Sequence, residues 1–221
     1  MELRRLSISM LTRTHIIILL VLAVVVWAIE LKILGLPFTW EYSKPFAITA
    51  SVLSGACFVF DRWIWKWPMF KGWLVNQPNL QGTWKVLLKS DWLSPETKQQ
   101  VAPTECIMAI HQTYSRFSAR LFTRESSSYL VAHKIEQQND GVFQLFGTYQ
   151  NTPDITLRGK RSEIHYGALV LEIRGEPPKS LVGHYWTDRG TKGSLELTDR
   201  ISDILTGYKE GMDRFKLPVG Q

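Results

Sequence analysis

The densest gathering of groups able to hold a polar ligand is the run His184-Tyr185-Trp186-Thr187-Asp188-Arg189-Gly190-Thr191-Lys192-Gly193. It sets aromatic faces, hydroxyls, one Arg and one Lys around a single hairpin. A base needs an aromatic face to stack on, worth roughly 1–3 kcal/mol per base, and a phosphate needs Arg, Lys or hydroxyl donors. Tyr149-Gln150-Asn151-Thr152-Pro153 and Lys89-Ser90-Asp91-Trp92 are similar in kind. Spacing alone leaves a second reading open, in which these are ordinary hairpins with a satisfied Tyr. Arg116, Arg120 and Arg124 share one face of a strand, as a solvated outer stripe or as a phosphate-facing surface.

Reaction chemistry has less to stand on. His15, His111, His133, His165 and His184 show no metal-ligand spacing. Ser126-Ser127-Ser128 reads as a turn and the start of a strand, with nothing like G-x-S-x-G around it. Acidic residues are scattered singly, which gives no support to paired-carboxylate catalysis. The chain carries no Walker A or G-x-G-x-x-G loop. The expectation is a binding protein rather than an enzyme, with no catalytic residue and no metal ligand assigned.

The elements that must position these groups are strands. After Trp73 a short breaker, Asn76 to Asn79 with Pro78, precedes alternating apolar and polar residues from Gly82 onward. The pattern predicts eight strands, at 82–90, 104–112, 115–124, 127–136, 142–150, 165–173, 179–187 and 191–199. Turn signals separate most of them: Ser94-Pro95, Asn139-Asp140-Gly141, Asn151-Thr152-Pro153, Glu176-Pro177-Pro178 and Asp188-Arg189-Gly190. Short connections favour antiparallel neighbours, and eight strands in series favour a closed up-and-down barrel, which removes exposed edges. Gly82-Thr83-Trp84 resembles the G-x-W of lipocalins, whose Trp plugs one end of such a barrel. Trp84, Val86 and Leu88, Phe117, Ala119 and Leu121, and Leu195 and Leu197 are the expected interior, with room for side chains or one small ligand. The tail 201–221 could hold a short helix but reads as loosely ordered.

Ahead of the strands the chain is different in kind. Of 221 residues, 45% are hydrophobic and 21% charged, which excludes a disordered or low-complexity chain. Cys57 and Cys106 cannot make a disulfide scaffold, consistent with a reducing compartment. The net charge of +6 is uneven: residues 1–75 hold eight basic and four acidic side chains, and 76–221 hold eighteen and sixteen. Ile16 to Ile29 is an unbroken apolar run, and Pro45 to Phe60 is a second stretch without charge. A spanning helix needs roughly 20 apolar residues, so each run reaches that length only with its flanks. Transmembrane helices are expected at about 15–36 and 45–64, within a segment 1–75 that precedes a barrel at 76–200. Arg4, Arg5 and Arg13 precede the first run and Arg62, Lys66 and Lys71 follow the second. By the positive-inside rule both termini and the barrel are then cytoplasmic. Trp63, Trp65, Trp67 and Trp73 suit an interfacial aromatic belt. A cleaved signal peptide ending at Val26-Trp27-Ala28 is the rival reading, and it leaves the second run to explain separately. Ala47, Ser51 and Gly55 form a small-residue stripe along which helices could pack, within one hairpin or between molecules.

The order of parts, two N-terminal transmembrane helices, then Leu80-Gln81-Gly82-Thr83-Trp84, then strands ending in the Tyr185-to-Gly193 hairpin, resembles a known family. It is the two-transmembrane β-strand-rich (β-barrel) effector family of CBASS, the cyclic-oligonucleotide anti-phage signalling systems, whose members are CD-NTase-associated membrane effectors. The resemblance covers residues about 1–200. It implies a cytoplasmic barrel that binds a cyclic dinucleotide made by a partner nucleotidyltransferase, with no other cofactor and no DNA or RNA polymer as ligand. It also implies self-association on ligand binding, disruption of the bacterial inner membrane and death of the infected cell. Carried over on this resemblance as ligand-binding are Tyr149, Asn151, Tyr185, Thr187, Arg189 and Lys192. Arg189 or Lys192 would neutralise phosphate, Tyr185 or Tyr149 would stack a base, and Asn151 or Thr187 would read a base edge. Such a ligand is too polar and wide for a packed eight-strand interior, so a barrel mouth or an outer groove is the expected site. The alternative is a membrane-tethered lipocalin-like module for an apolar ligand.

Overall fold

Alternation of apolar and polar residues from Gly82 onward produces eight strands, each antiparallel to the next. They are β1 Gly82–Ser90, β2 Thr104–Gln112, β3 Phe117–Phe122, β4 Ser126–Gln137, β5 Phe143–Pro153, β6 His165–Arg174, β7 Ser180–Thr187 and β8 Lys192–Ile201. β8 pairs back onto β1, so the sheet is a closed barrel in simple sequence order. The computed structural model describes residues 13–37, 39–93, 98–158 and 162–216. The expected turn at Ser94-Pro95 lies outside the described residues.

Inward positions carry the apolar set: Trp84, Val86, Cys106, Met108, Ile110, Leu145, Leu171, Leu181, Leu195 and Leu197 are all buried. Leu88, Phe117 and Leu121 pack against this core from less buried positions, as their alternation predicts. Cys106 sits deep enough that burial, helped by the neighbouring Glu105 charge, pushes its thiol up to about 12.

One end of the barrel is stoppered. The Trp84 ring is fully buried and its Nε1 donates to the Leu80 carbonyl at 2.9 Å. The Arg200 guanidinium lies 5.1 Å from the ring centroid, in cation–π contact, and Nη1 donates to the Asn79 carbonyl at 2.6 Å. Gln112, also buried, accepts from Leu80 N at 2.7 Å and donates to the Pro78 carbonyl at 3.0 Å. The Trp84 indole N–H and both ends of the Gln112 amide therefore have partners, which offsets the cost of burying them.

Three expectations are corrected. Asn151-Thr152-Pro153 is no turn: these residues close β5, opposite Ser128, Ser127 and Ser126 of β4. Pro153 is tolerated because the β5–β6 ladder has ended at Asn151, so its missing N–H is not needed on that side. The same pairing draws Ser126-Ser127-Ser128 wholly into a strand. The tail is not loose where it is described: α3, Tyr208–Lys216, lies on the outer face of β2. Met212 is buried, and a Cβ on Gly211 would stand 2.2 Å from Ile107 Cδ1, so a larger residue there would have to displace the Ile107 side chain. That covering explains why Cys106 to Ile110 is apolar without alternation. A β-bulge between Leu130 and Ala132 also resets the parity of β4, leaving Val131 exposed and turning both Leu130 and His133 inward.

The chain divides into two compact units, residues 1–68 with 113–115, and 69–112 with 116–221. The first contains two helices, α1 Arg13–Ile33 and α2 Trp40–Arg62. Among the described residues no helix is long and apolar enough to cross a membrane. Side chains 13–20 and 22 of α1, the larger part of the first apolar run's head, lie outside the described set. Ala47, Ser51 and Gly55 are exposed along α2.

Candidate functional site

Opposite the Trp84 stopper the barrel is hollow, contrary to the expectation of a packed interior. A cavity of about 240 Å³ extends among inward residues of the strands, and a second space of about 260 Å³ lies at the mouth. The two share Leu88, Ser162, His165, Tyr185 and Thr191.

The hollow comes from local sequence. Tyr149 and Tyr185 belong to the buried core, and each lies across a glycine on the neighbouring strand. Tyr149 pairs with Gly167, where an added Cβ would stand 2.5 Å from the Tyr hydroxyl oxygen. Tyr185 pairs with Gly193, where it would stand 2.7 Å from Tyr185 Cε1. Opposite the tyrosines, Ser126, Ser128 and Ala119 are too small to fill the space they face.

The inner walls are apolar toward the stopper, with Met108, Leu121, Leu145 and Leu195, and hydroxyl-rich toward the mouth, where Leu88 is shared with the outer space. Asn151 is buried, and its Oδ1 accepts from Ser128 Oγ at 2.8 Å. The Thr187 and Thr191 hydroxyls stand 2.7 Å apart across the last hairpin. Burial holds the Tyr149 hydroxyl well above the usual phenol range, with Tyr185 and Asp188 adding to the shift. Burial also raises Tyr185, opposed by its hydrogen bond with Ser90. Both are therefore neutral donors at physiological pH. No Lys, Arg, Asp or Glu lines the inner cavity among the described residues. Charge begins at the mouth, where Arg189 and Glu125 line the outer space beside Trp92. Arg189 Nη1 donates to Ser162 Oγ at 3.3 Å.

Of the residues singled out from sequence, Tyr149, Asn151, Tyr185 and Thr187 meet on the inner cavity, and Arg189 stands at its mouth. Lys192 is not among them. It is exposed on the outward face of β8 with Ser194 and Glu196, while its backbone N–H donates to Asp91 Oδ1 at 2.8 Å. The Arg116, Arg120 and Arg124 stripe faces outward too, with Arg120 5.6 Å from the Tyr129 ring centroid, and lines neither space. Sequence reasoning missed Ser126, Ser128 and Thr191. Their signal was period-2 spacing continuous with Leu130 in one case and with Leu195 in the other. Among the described residues no cluster of His, Cys, Asp or Glu could hold a metal.

The walls thus suit a flat, polar-edged group inside, and outside they carry one basic and one acidic side chain, Arg189 and Glu125. Residues 75–199 match the family described as Cap15, cyclic dinucleotide receptor domain. No curated protein matches the chain. The family match spans the whole barrel but for the last residues of β8, and with it more than half of the sequence. The chain belongs to the Cap15 cyclic dinucleotide receptor family of CBASS effectors.

Proposed function

We propose that a cyclic dinucleotide, made by a partner nucleotidyltransferase, occupies the inner cavity and its mouth, and that the protein acts as an effector rather than an enzyme. One observation carries this reading: Tyr149, Asn151, Tyr185 and Thr187 converge on a hollow that adjoins a mouth lined by Arg189. The tyrosines offer faces for a base, Asn151 and Thr187 offer base-edge partners, and Arg189 offers a charge-assisted contact to phosphate. In this reading α1 and α2 form a hairpin in the inner membrane, with both termini and the barrel cytoplasmic. Its support is the uncharged run Ile16 to Ile29, the uncharged run Pro45 to Phe60, and the basic residues outside them. Ligand that binds the self-associating form better shifts the population toward it by that difference in affinity. The Ala47, Ser51 and Gly55 stripe gives the hairpins a face on which to meet, and the assembled helices disrupt the membrane.

The leucines lining the deep part of the cavity favour a second reading, a lipocalin-like carrier of an apolar ligand. Calorimetry of the full chain in detergent separates the two. Cyclic dinucleotides should bind, and Tyr185→Ala and Arg189→Ala should each weaken that binding. Uptake of fatty acid with indifference to every cyclic dinucleotide would establish the carrier instead.

A further inference from the structure

The two spaces differ in size and in charge, and neither holds a whole cyclic dinucleotide. At about 240 Å³ the inner cavity falls below the range of about 300–1,000 Å³ typical of pockets that enclose a drug-sized ligand. A ring of two riboses and two phosphates bearing two bases is at least that large. The inner cavity and the mouth space, about 260 Å³, reach the range only together. The inner walls carry no charged side chain among the described residues, so a phosphate there would be desolvated without a counter-charge. A base meets no such objection. Its faces suit Leu88, Leu195 and the two tyrosines, and its edge can exchange hydrogen bonds with Asn151, Ser128 and Thr187. Arg189, Glu125 and Trp92 line the mouth, where phosphate can stay partly solvated on the Arg189 side, away from the Glu125 carboxylate, and a second base can stack.

Resting on the receptor reading above, we propose that the ligand enters end-on. One base is buried in the barrel while the phosphates and the second base remain at the mouth, so the two base positions are read unequally. The buried base is held by a closed set of hydrogen-bond partners, and an ill-matched base leaves them unpaired. The outer base stacks on whatever face it finds, which is tolerant of identity.

This makes a mixed ligand diagnostic. The full chain in detergent is titrated with the three cyclic homodinucleotides of A, G and U and the three mixed ones. Where two homodinucleotides differ by about tenfold or more, which is about 1.4 kcal/mol, the mixed one should bind nearly as tightly as the better. Its preferred base takes the inner position, and the other base stays outside. Ser128→Ala and Asn151→Ala should shrink the differences among homodinucleotides. Arg189→Ala should weaken all six by a similar factor. A mixed ligand falling midway between its two parents, or one ligand bound per two chains, would overturn the end-on arrangement and leave the receptor reading standing. Failure of all six to bind would overturn the receptor reading itself.

Discussion

Tyr149 on β5 lies directly over Gly167 on β6, its cross-strand partner, so closely that a Cβ there would meet the Tyr hydroxyl and the Trp186 carbonyl oxygen at 2.5 Å each. The glycine lets the ring lie against the wall, and the ring in turn packs a stretch of strand with no side chain of its own. Space for a ligand is the difference between a tyrosine lying flat and one standing up. Gly167→Ala should therefore cost about 1–3 kcal/mol through overpacking and push the ring into the cavity. Thermal unfolding should show the loss of stability, and calorimetry a disproportionate loss of ligand affinity. A variant that melts early yet binds normally would mean the ring does not shape the site.

Trp84 and Arg200 act as one stopper. Trp84→Ala removes a fully buried ring and should destabilise the barrel by about 3–5 kcal/mol. Arg200→Ala uncovers one face of the ring and loses the bond to the Asn79 carbonyl. Its expected cost is smaller, about 1–3 kcal/mol. The double variant should lose less than the two single losses combined, because the contacts are shared. Denaturant unfolding of the four proteins checks this, and simple additivity would count against the shared stopper.

The raised tyrosines give a pH dependence of definite sign. Below the ordinary phenol value of about 10, folded and unfolded chains both keep these protons and stability is indifferent to them. Above it the unfolded chain ionises while buried Tyr149 and Tyr185 resist, so the unfolded state gains and stability falls with rising pH. Spectrophotometric titration should show tyrosines that ionise late, and a Tyr149→Phe chain should have one fewer of them. Stability of that variant should also decline less steeply at high pH. Ionisation of all tyrosines together near their ordinary value would contradict the burial.

The proposed membrane role makes its own prediction on α2. A Cβ on Gly55 meets nothing within 4 Å, so Gly55→Leu should leave the fold intact while roughening the small-residue stripe. Ligand affinity should be unchanged, and toxicity on expression with the nucleotidyltransferase should fall. Full toxicity would show that hairpins do not meet along this face.

The barrel was legible because its signal is periodic. β1 and β2 begin and end at the predicted residues, although the middle of β2 does not alternate, and the closing β1–β8 pair follows from eight short-linked strands. The site was half legible. Tyr149, Asn151, Tyr185, Thr187 and Arg189 stand out by residue type at strand ends. Lys192 misled because residue type does not reveal which face of β8 it occupies, although parity with Leu195 does. Ser126 and Ser128 misled because serine is common in turns and here lines a cavity from within a strand. The hollow itself was invisible. It depends on Tyr149 lying across Gly167 and Tyr185 across Gly193, pairs that only the strand register brings together. The bulge at Val131 was hidden for the same reason: one extra residue in β4 has no signature until β5 is laid beside it.

The stopper at Trp84 also governs timing. A sealed floor offers no second way out at that end, so a ligand that came in through the mouth leaves through it. Narrowing that doorway slows arrival and departure by the same factor and leaves the equilibrium constant where it was, since a barrier common to both directions cancels from their ratio. Bulk added around Arg189 and Trp92 without new contacts would thus lengthen each occupancy event without changing the ligand concentration that half-fills the site.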